Sequence, residues 1–394
     1  MNKRLVEATS ILRKLKSHHH DAYIVGGFVR DHLLGISSDD IDITTSALPE
    51  DVEAIFDQVK QTGRKFGGVT ILMGNHRFEV TTFRKEGAYV QNRYPEEITY
   101  SQSIEDDVVR RDFTVNALVM DEDRKVHDFV GGLKDLEQRV LRAIGDPNQR
   151  FEEDALRILR AFRFVGKLGF QLDPDTKAAL RLNKHLVSTI TIERVMQELD
   201  KIVRTDHRKE ALQAMIDTGV HEELYGLAQG IEYAATLNQD LEPLELFILS
   251  FILNDIDDVW RFSNRDLRLI HQVLNLHEVT KQDQFNTFIL FSNKLEPCLI
   301  TNRMNVLLGY PDQEQHILEL WNNMPVKDVC DLAFKGQDIL ELTTLKTRSV
   351  IGLVIDDLLE QVLLGNLPND YDTLKPFALQ RVEQLQKSTG DNHE

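Results

Sequence analysis

At 394 residues, with 42% hydrophobic and 28% charged residues, the chain is long enough for two or three domains with ample core and has the composition of a soluble globular protein. No apolar run approaches a membrane span, the opening Met1-Asn2-Lys3-Arg4 is no signal peptide, and Cys298 and Cys330 have no metal-ligand spacing, so zinc is not expected and a reducing cytoplasm is. A net charge of −18 argues against a general nucleic-acid binder and leaves room only for local basic faces. Arg157, Arg160, Arg163 and Lys167 form one such cluster; Lys201, Arg204, Arg208 and Lys209 form another. Acid is concentrated elsewhere, as in Asp255, Asp257 and Asp258. The plain reading of each basic cluster is a solvated helix face.

Residues 5–15 carry apolar Leu5, Ala8, Ile11, Leu12 and Leu15 on one stripe, which predicts a helix. A short strand over 22–25 runs into a glycine turn, and a short helix over 29–34 ends at Gly35. Residues 41–45 are predicted as a strand, and Pro49 opens a helix through Val59. Residues 69–73 and 77–83 flank Gly74-Asn75-His76 and predict a hairpin. Residues 84–107 are charged, contain tyrosines and lack a period, which predicts an irregular loop. Strands are expected over 115–120 and 125–129. From about Phe151 helical periods dominate, so a mixed α/β head should precede a long helical remainder. The polar residues from Ser388 on are expected to fray.

The densest chemical signal lies in Gly26-Gly27-Phe28-Val29-Arg30-Asp31, followed by Asp40-Ile41-Asp42. Residues two apart on a strand share a face, and two carboxylates there make a hard-oxygen site for a divalent metal, usually Mg²⁺. The glycines allow close backbone approach to phosphate, with Arg30 as a nearby cation. Together these parts point to metal-dependent phosphoryl chemistry. Glu79, on the second hairpin strand, is a third candidate carboxylate: a metal ligand, an acceptor for the proton of an attacking hydroxyl, or a plain exposed strand glutamate. Arg110-Arg111-Asp112 precedes an apolar run, and paired guanidiniums suit triphosphate contact. Asp112 either orients Arg111 or pairs with it structurally. Asn116 inside that run needs hydrogen-bond partners, from the chain or from a ligand. Val130-Gly131-Gly132 through Gly145 reads as a glycine turn and an amphipathic helix joining two domains, with a hinge role open.

Glu153-Asp154-Ala155-Leu156-Arg157 with Arg160 and Arg163 is the third unit. On one helix Asp154, Arg157 and Arg160 step three residues at a time, which a structural ion pair also explains. A sharper reading follows from hydrogen-bond chemistry. A carboxylate accepts from an exocyclic amine, while a guanidinium donates to a ring nitrogen. Cytosine and adenine both show that edge; uracil and guanine show the reverse. An Asp–Arg pair would thus accept C and A and reject U and G.

On these residues the chain resembles the class II tRNA nucleotidyltransferases, the bacterial CCA-adding enzymes without a phosphohydrolase domain. Gly26 to Asp31 with Asp40 and Asp42 resembles the family's metal motif, Arg110 to Leu118 its sugar and triphosphate motif, Val130 to Gly145 its head–neck element, and Glu153-Asp154 with Arg157 and Arg160 its nucleobase template. Thr191-Ile192-Glu193-Arg194 with Glu198 is similar to its supporting neck helix. Gly336-Gln337-Asp338-Ile339-Leu340, Ile351-Gly352 and Leu364-Gly365 are similar to the tail that grips the tRNA elbow. The resemblance spans nearly the whole chain and is weaker over residues 210–330. Phe66-Gly67-Gly68-Val69 and Lys346-Thr347-Arg348 depart from the usual pattern, which leaves the elbow grip less secure. Asp206-His207 and His18-His19-His20-Asp21 do not resemble a hydrolase metal site.

The resemblance implies an α+β fold: a polymerase-beta-like nucleotidyltransferase head with a small mixed sheet over 1–145, a helical neck over 146–208, a helical body over 209–325 and a helical tail over 326–394. It implies addition of C, C and A to the tRNA 3′ end from CTP and ATP, without a nucleic-acid template and with release of pyrophosphate. Gly27, Arg30, Arg111, Asp154, Arg157, Arg160 and Arg163 carry over as nucleotide contacts, and Asp40 and Asp42 as Mg²⁺ ligands. The expected partners are tRNA, at its 3′ end and elbow, and the two nucleotides; a membrane is not expected, and a homodimer is left open. The rivals are a bacterial poly(A) polymerase, usually more basic toward its C-terminus, and a CC-adding enzyme, which lacks the long charged segment seen at 84–107. A small-molecule nucleotidyltransferase would need neither the Asp154–Arg157 pair nor the helical remainder.

Overall fold

The computed structural model describes residues 3–61, 67–85, 89–90, 94–95, 99–254, 259–343 and 348–390, of which 89–90, 94–95, 348 and 387–390 as backbone only. Phe66, the Asp255/Asp257/Asp258 cluster and Lys346-Thr347 therefore lie outside the described residues. Contacts group the chain into two compact units, Met1–Arg261 and Phe262–Glu394.

The first unit opens with α1 (Lys3–Ser17), whose predicted apolar stripe is buried in full. It packs on β1 (Ala22–Val25). The turn into α2 (Gly27–Leu33) requires Gly26, which sits at φ 76° and ψ −140°, a region that side-chain-bearing residues avoid. Then come β2 (Asp42–Thr45), α3 (Pro49–Ile55), β3 (Val59–Lys60), β4 (Gly68–Met73) and β5 (His76–Thr82).

Of residues 84–107, those described include short strands that the missing period did not predict. β6 (Arg84–Lys85) pairs with β9 (Thr99–Tyr100), β7 (Tyr89–Val90) pairs with β8 (Tyr94–Pro95), and α4 (Ile104–Val109) closes the segment. Two-residue strands carry no readable alternation, and partners sixteen residues apart leave no local signal. The expected strand at 115–120 is also corrected. A 3₁₀ turn spans Thr114–Asn116, and only β10 (Val119–Met120) is extended, followed by β11 (Val126–His127). The run is apolar because it is buried, and the turn frees the Asn116 side chain to bond Arg30 and Asp112.

The sheet order is β11-β10-β1-β2-β5-β4-β3. Its one parallel pair joins β2 to β5 and sets Asp42 opposite Glu79, while β1 sets Val25 opposite Asp42. Asp40 lies two residues before β2 rather than on it.

α5 (Gly132–Gln138) and β12 (Val140–Leu141) lead to α6 (Pro147–Glu153), capped by Asp146, whose carboxylate accepts from Asn148 N–H at 3.0 Å. α7 (Leu156–Leu168) is the central helix, buried along Ile158, Leu159, Phe162 and Val165. Beyond β13 (Gln171–Leu172) and α8 (Pro174–Leu182), α7 is flanked by α9 (Ile192–Val203) and α10 (Arg208–Thr218). Gly166 permits this approach: a Cβ there would meet the Thr205 side chain at 2.2 Å and Ala211 at 3.1 Å. α11 (Ala228–Thr236) and α12 (Pro243–Leu253) complete the unit. Among the described residues after 147, β13 is the only strand, as the helical periods predict.

The second unit holds α13 (Asn264–Thr280), α14 (Thr287–Asn293), α15 (Leu295–Leu307), α16 (Glu314–Asn323), α17 (Gly336–Leu342), α18 (Arg348–Leu363) and α19 (Tyr371–Gly390). Its core gathers Phe285, Leu290, Ile317, Phe334, Ile339, Val354, Leu358 and Leu374. Cys298 is buried in the same core, which pushes its thiol up to about 12; Cys330 is exposed, and both are free. No helix among the described residues is long and apolar enough to cross a membrane.

Candidate active site

A cavity of about 800 Å³ opens between the glycine turn, β2, the Arg110–Asn116 segment and α7. Gly27, Arg30, Asp40, Asp42, Arg111, Asp154, Arg157, Arg160 and Arg163 all line it; Glu79 does not. Residues chosen from four separate stretches of sequence are thus brought to one place.

Asp42 is a strongly perturbed group of the cavity. Burial, then the Asp40 charge, then the Glu79 charge push its carboxyl up to about 6, with Arg111 acting the other way. Two carboxylates whose mutual repulsion Arg111 relieves only in part are a donor set that a hard divalent cation fits. Glu79 is exposed on the neighbouring strand. Its charge reaches Asp42 across the register, although among the described residues no group of three or more His, Cys, Asp or Glu side chains is disposed to hold a metal.

Arg30 is 1% exposed. Its Nε and Nη2 donate to Asp31 Oδ1 at 2.8 and 2.6 Å, and Nη1 donates to Asn116 Oδ1. Lys167 reaches from α7 to the other Asp31 oxygen at 2.9 Å. Asp31 and Lys167 were not singled out from sequence as a pair, because they are 136 residues apart.

The arginine pair is held by an unforeseen residue, Asp107, which is fully buried. It accepts from Arg110 Nε at 2.9 Å, from Arg111 Nη2 at 3.1 Å and from the Arg84 backbone N–H at 3.3 Å. Burial opposes its ionisation, but Arg110 and Arg111 hold its carboxyl below the ordinary value. The spacing of three and four residues was a legible signal for this. Asp112 does not pair with Arg111 as expected. It accepts from Arg160 Nε at 2.7 Å and from Asn116 Nδ2 at 3.1 Å, and these cations and donors keep its buried carboxyl low against the burial penalty.

The template residues are also arranged differently from the single-helix expectation. Asp154 is extended, at φ −143° and ψ 101°, between α6 and α7, and its Oδ1 accepts from Leu156 N–H at 3.1 Å. An aspartate side chain competes for backbone donors and so ends a helix more readily than it continues one. Arg194 of α9 stands 3.7 Å from the same oxygen. Arg157 is buried; it donates to Glu153 at 2.9 Å, to the Arg150 carbonyl at 3.0 Å and to the Arg110 carbonyl at 2.8 Å. Arg163 lies 3.4 Å from buried Glu198, which also takes Lys201 at 3.1 Å. The α9 segment thus supports the cavity from behind, at the positions the sequence points to.

The chain is similar to known proteins along most of its length. Residues 22–142 match the model of a poly A polymerase head domain, residues 169–228 a probable RNA and SrmB-binding site of polymerase A, and residues 254–378 a putative tRNA nucleotidyltransferase domain 2. The chain is 32% identical to the CCA-adding enzyme of Ligilactobacillus salivarius, over 96% of this chain and 97% of that one. It is 33% identical to the CCA-adding enzyme of Geobacillus kaustophilus, over 97% and 98%. The crystal structure of the Bacillus stearothermophilus CCA-adding enzyme in complex with CTP superposes with a TM-score of 0.84 at 30% identity, covering 98% of this chain and 100% of that one. Enzymes of this kind use a divalent metal ion. The chain belongs to the CCA-adding enzymes, the tRNA nucleotidyltransferases.

Proposed function

We propose that the cavity between head and α7 transfers CMP and then AMP from CTP and ATP to the 3′ end of tRNA, with Asp40 and Asp42 holding Mg²⁺. The observation that carries this is the convergence of both carboxylates, the arginines and Asp154 on one cavity. Bound there, Mg²⁺ would neutralise charge on the reacting phosphate and on the leaving pyrophosphate. Gly27 lets the backbone approach the phosphates, and Arg111, steadied by Asp107, meets their negative charge. Glu79, the register partner of Asp42, is the proposed acceptor of the proton from the attacking hydroxyl.

Asp154 and Arg157 read the nucleobase edge, the carboxylate accepting from the amine and the guanidinium donating to the ring nitrogen. The bracing of Arg157 by Glu153 and two carbonyls, and of Asp154 by Arg194, makes that edge rigid enough to discriminate. Residues 1–145 are proposed as the catalytic head, 146–208 as the neck bearing the template, 209–325 as the body and 326–394 as the tail that meets the tRNA elbow. The free thiols fit a cytoplasmic enzyme.

Incubation with tRNA lacking its CCA end and each labelled nucleotide in turn tests this reading. Two CMP and one AMP additions are expected, and none from UTP or GTP. Products that stop at two residues, or that extend into an A tract, would replace it with a CC-adding or a poly(A) activity.

A further inference from the structure

Phe164 follows Arg163 on α7, is 6% exposed, and lines the cavity. Three guanidinium groups surround its ring. The Arg163 carbon lies 4.7 Å from the ring centroid, Arg30 5.3 Å and Arg160 5.4 Å. Phe113 meets the ring edge-on at 5.7 Å and 75°. Arg30 comes from α2 of the head, the other two from α7, so the ring stands where head and neck cations converge.

Each arginine has a carboxylate of its own: Asp31 for Arg30, Asp112 for Arg160, Glu198 for Arg163. Those carboxylates offset charge, yet further acid inside the cavity would repel a triphosphate. An aromatic face attracts cations through its quadrupole without adding a negative charge. A leucine would fill similar volume and exert no such pull.

We propose that Phe164 is a positioning residue of the nucleotide site, whose ring face holds Arg30, Arg160 and Arg163 together so that their positive charge converges on the bound triphosphate. This rests on the reading of those arginines as nucleotide contacts. The ring itself touches no reacting atom. Its effect is on nucleotide binding, equal for CTP and ATP, because it meets the cations and not the base edge.

The test replaces Phe164 by mono-, di- and trifluorophenylalanine, which keep the ring's shape while draining its negative face. KM for both CTP and ATP should climb stepwise to about tenfold at the trifluoro ring, with kcat and the urea midpoint unchanged. Phe164→Leu should show the same or a larger KM, and Phe164→Tyr should restore it. A flat KM across the fluorinated series overturns the proposal and leaves Phe164 as packing. Arg163→Ala is measured alongside. If it leaves KM unchanged, the reading of the arginines fails and this proposal with it. If it raises KM while the fluorinated series is flat, only the role of Phe164 fails.

Discussion

Buried Asp112 of the head and half-buried Arg160 of α7 form an ion pair, with Arg160 Nε donating to Asp112 Oδ2 at 2.7 Å. The pair is a strut between the segment that carries Arg111 and the helix that carries the other cavity arginines. Arg160→Ala leaves the carboxylate of Asp112 buried without its main cation. Stranding a buried charge costs up to about 3 kcal/mol; with Arg160 about a third exposed, solvent screens part of this, and urea denaturation at pH 7 should show a loss of about 1–2 kcal/mol. The folded Asp112 carboxyl lies below its ordinary value, so its contribution is present above about pH 4 and fades as pH falls further. Wild type and Arg160→Ala should therefore converge toward acid pH; a gap constant from pH 7 to pH 3 would show that the pair contributes nothing through charge.

Asp40→Ala and Asp42→Ala should each abolish both CMP and AMP transfer, by at least a hundredfold on the scale of lost charge stabilisation, while circular dichroism and tRNA affinity stay near wild type. The two positions line the same cavity, and neither belongs to the apolar core. Normal turnover in either variant would remove the metal assignment.

Asp42 also ties stability to pH. Its folded carboxyl titrates near 6, against about 4 when unfolded. Keeping it ionised therefore costs the metal-free fold on the order of 2 kcal/mol at neutral pH. The cost is fully present above pH 6 and is relieved as pH falls from 6 to 4. In chelator, Asp42→Asn should melt above wild type at pH 7.5, with the gap closing toward pH 4. Millimolar Mg²⁺ should narrow the gap at pH 7.5 by stabilising only the wild type.

Asp154→Ala should relax base choice. Incorporation of UMP and GMP is expected to rise relative to CMP by roughly tenfold or more, because a hydrogen-bonding edge loses discrimination when a partner is removed. Arg157→Ala should do the same but unfold earlier, since Arg157 also bonds the Arg110 and Arg150 carbonyls. Equal falls in CMP and UMP incorporation would reduce both residues to a structural role.

Deleting residues 88–98 keeps β6, β9 and Asp107 in the chain. Such an enzyme is expected to add two C residues at near-normal rate and to stall before A. One braced template must serve a small base and a larger one, and the change between steps is assigned to the deleted stretch. Gel analysis of product length decides it: full CCA at wild-type rate would make the segment passive.

Much of this site was legible in the amino-acid sequence. Gly26-Gly27, Asp40 and Asp42, Arg110-Arg111 and the Asp154–Arg163 run are short-range patterns, and local spacing is all that is needed to see them. The first helix was legible for the same reason: α1 buries the stripe its periodicity marks. Even Asp107 was within reach, three and four residues before the arginines it holds. What the sequence could not supply was which carboxylate answers which cation. Asp112 passes over the adjacent Arg111 for Arg160, 48 residues on, and Lys167 finds Asp31 across 136. Ion pairing depends on distance and burial in three dimensions, and neither is encoded by neighbours in the chain. Backbone state near these groups was decided only in part the same way. Asn116 enters a 3₁₀ turn where the tertiary fold brings the Arg30 donor to its side chain, whereas Asp154 leaves the helix through a local bond from the Leu156 N–H. The sequence by itself determined the family and the order of a mixed head before a helical remainder, because both rest on local spacing and period; the packing of α7 against the head decided which charges meet, and so which of them face the cavity.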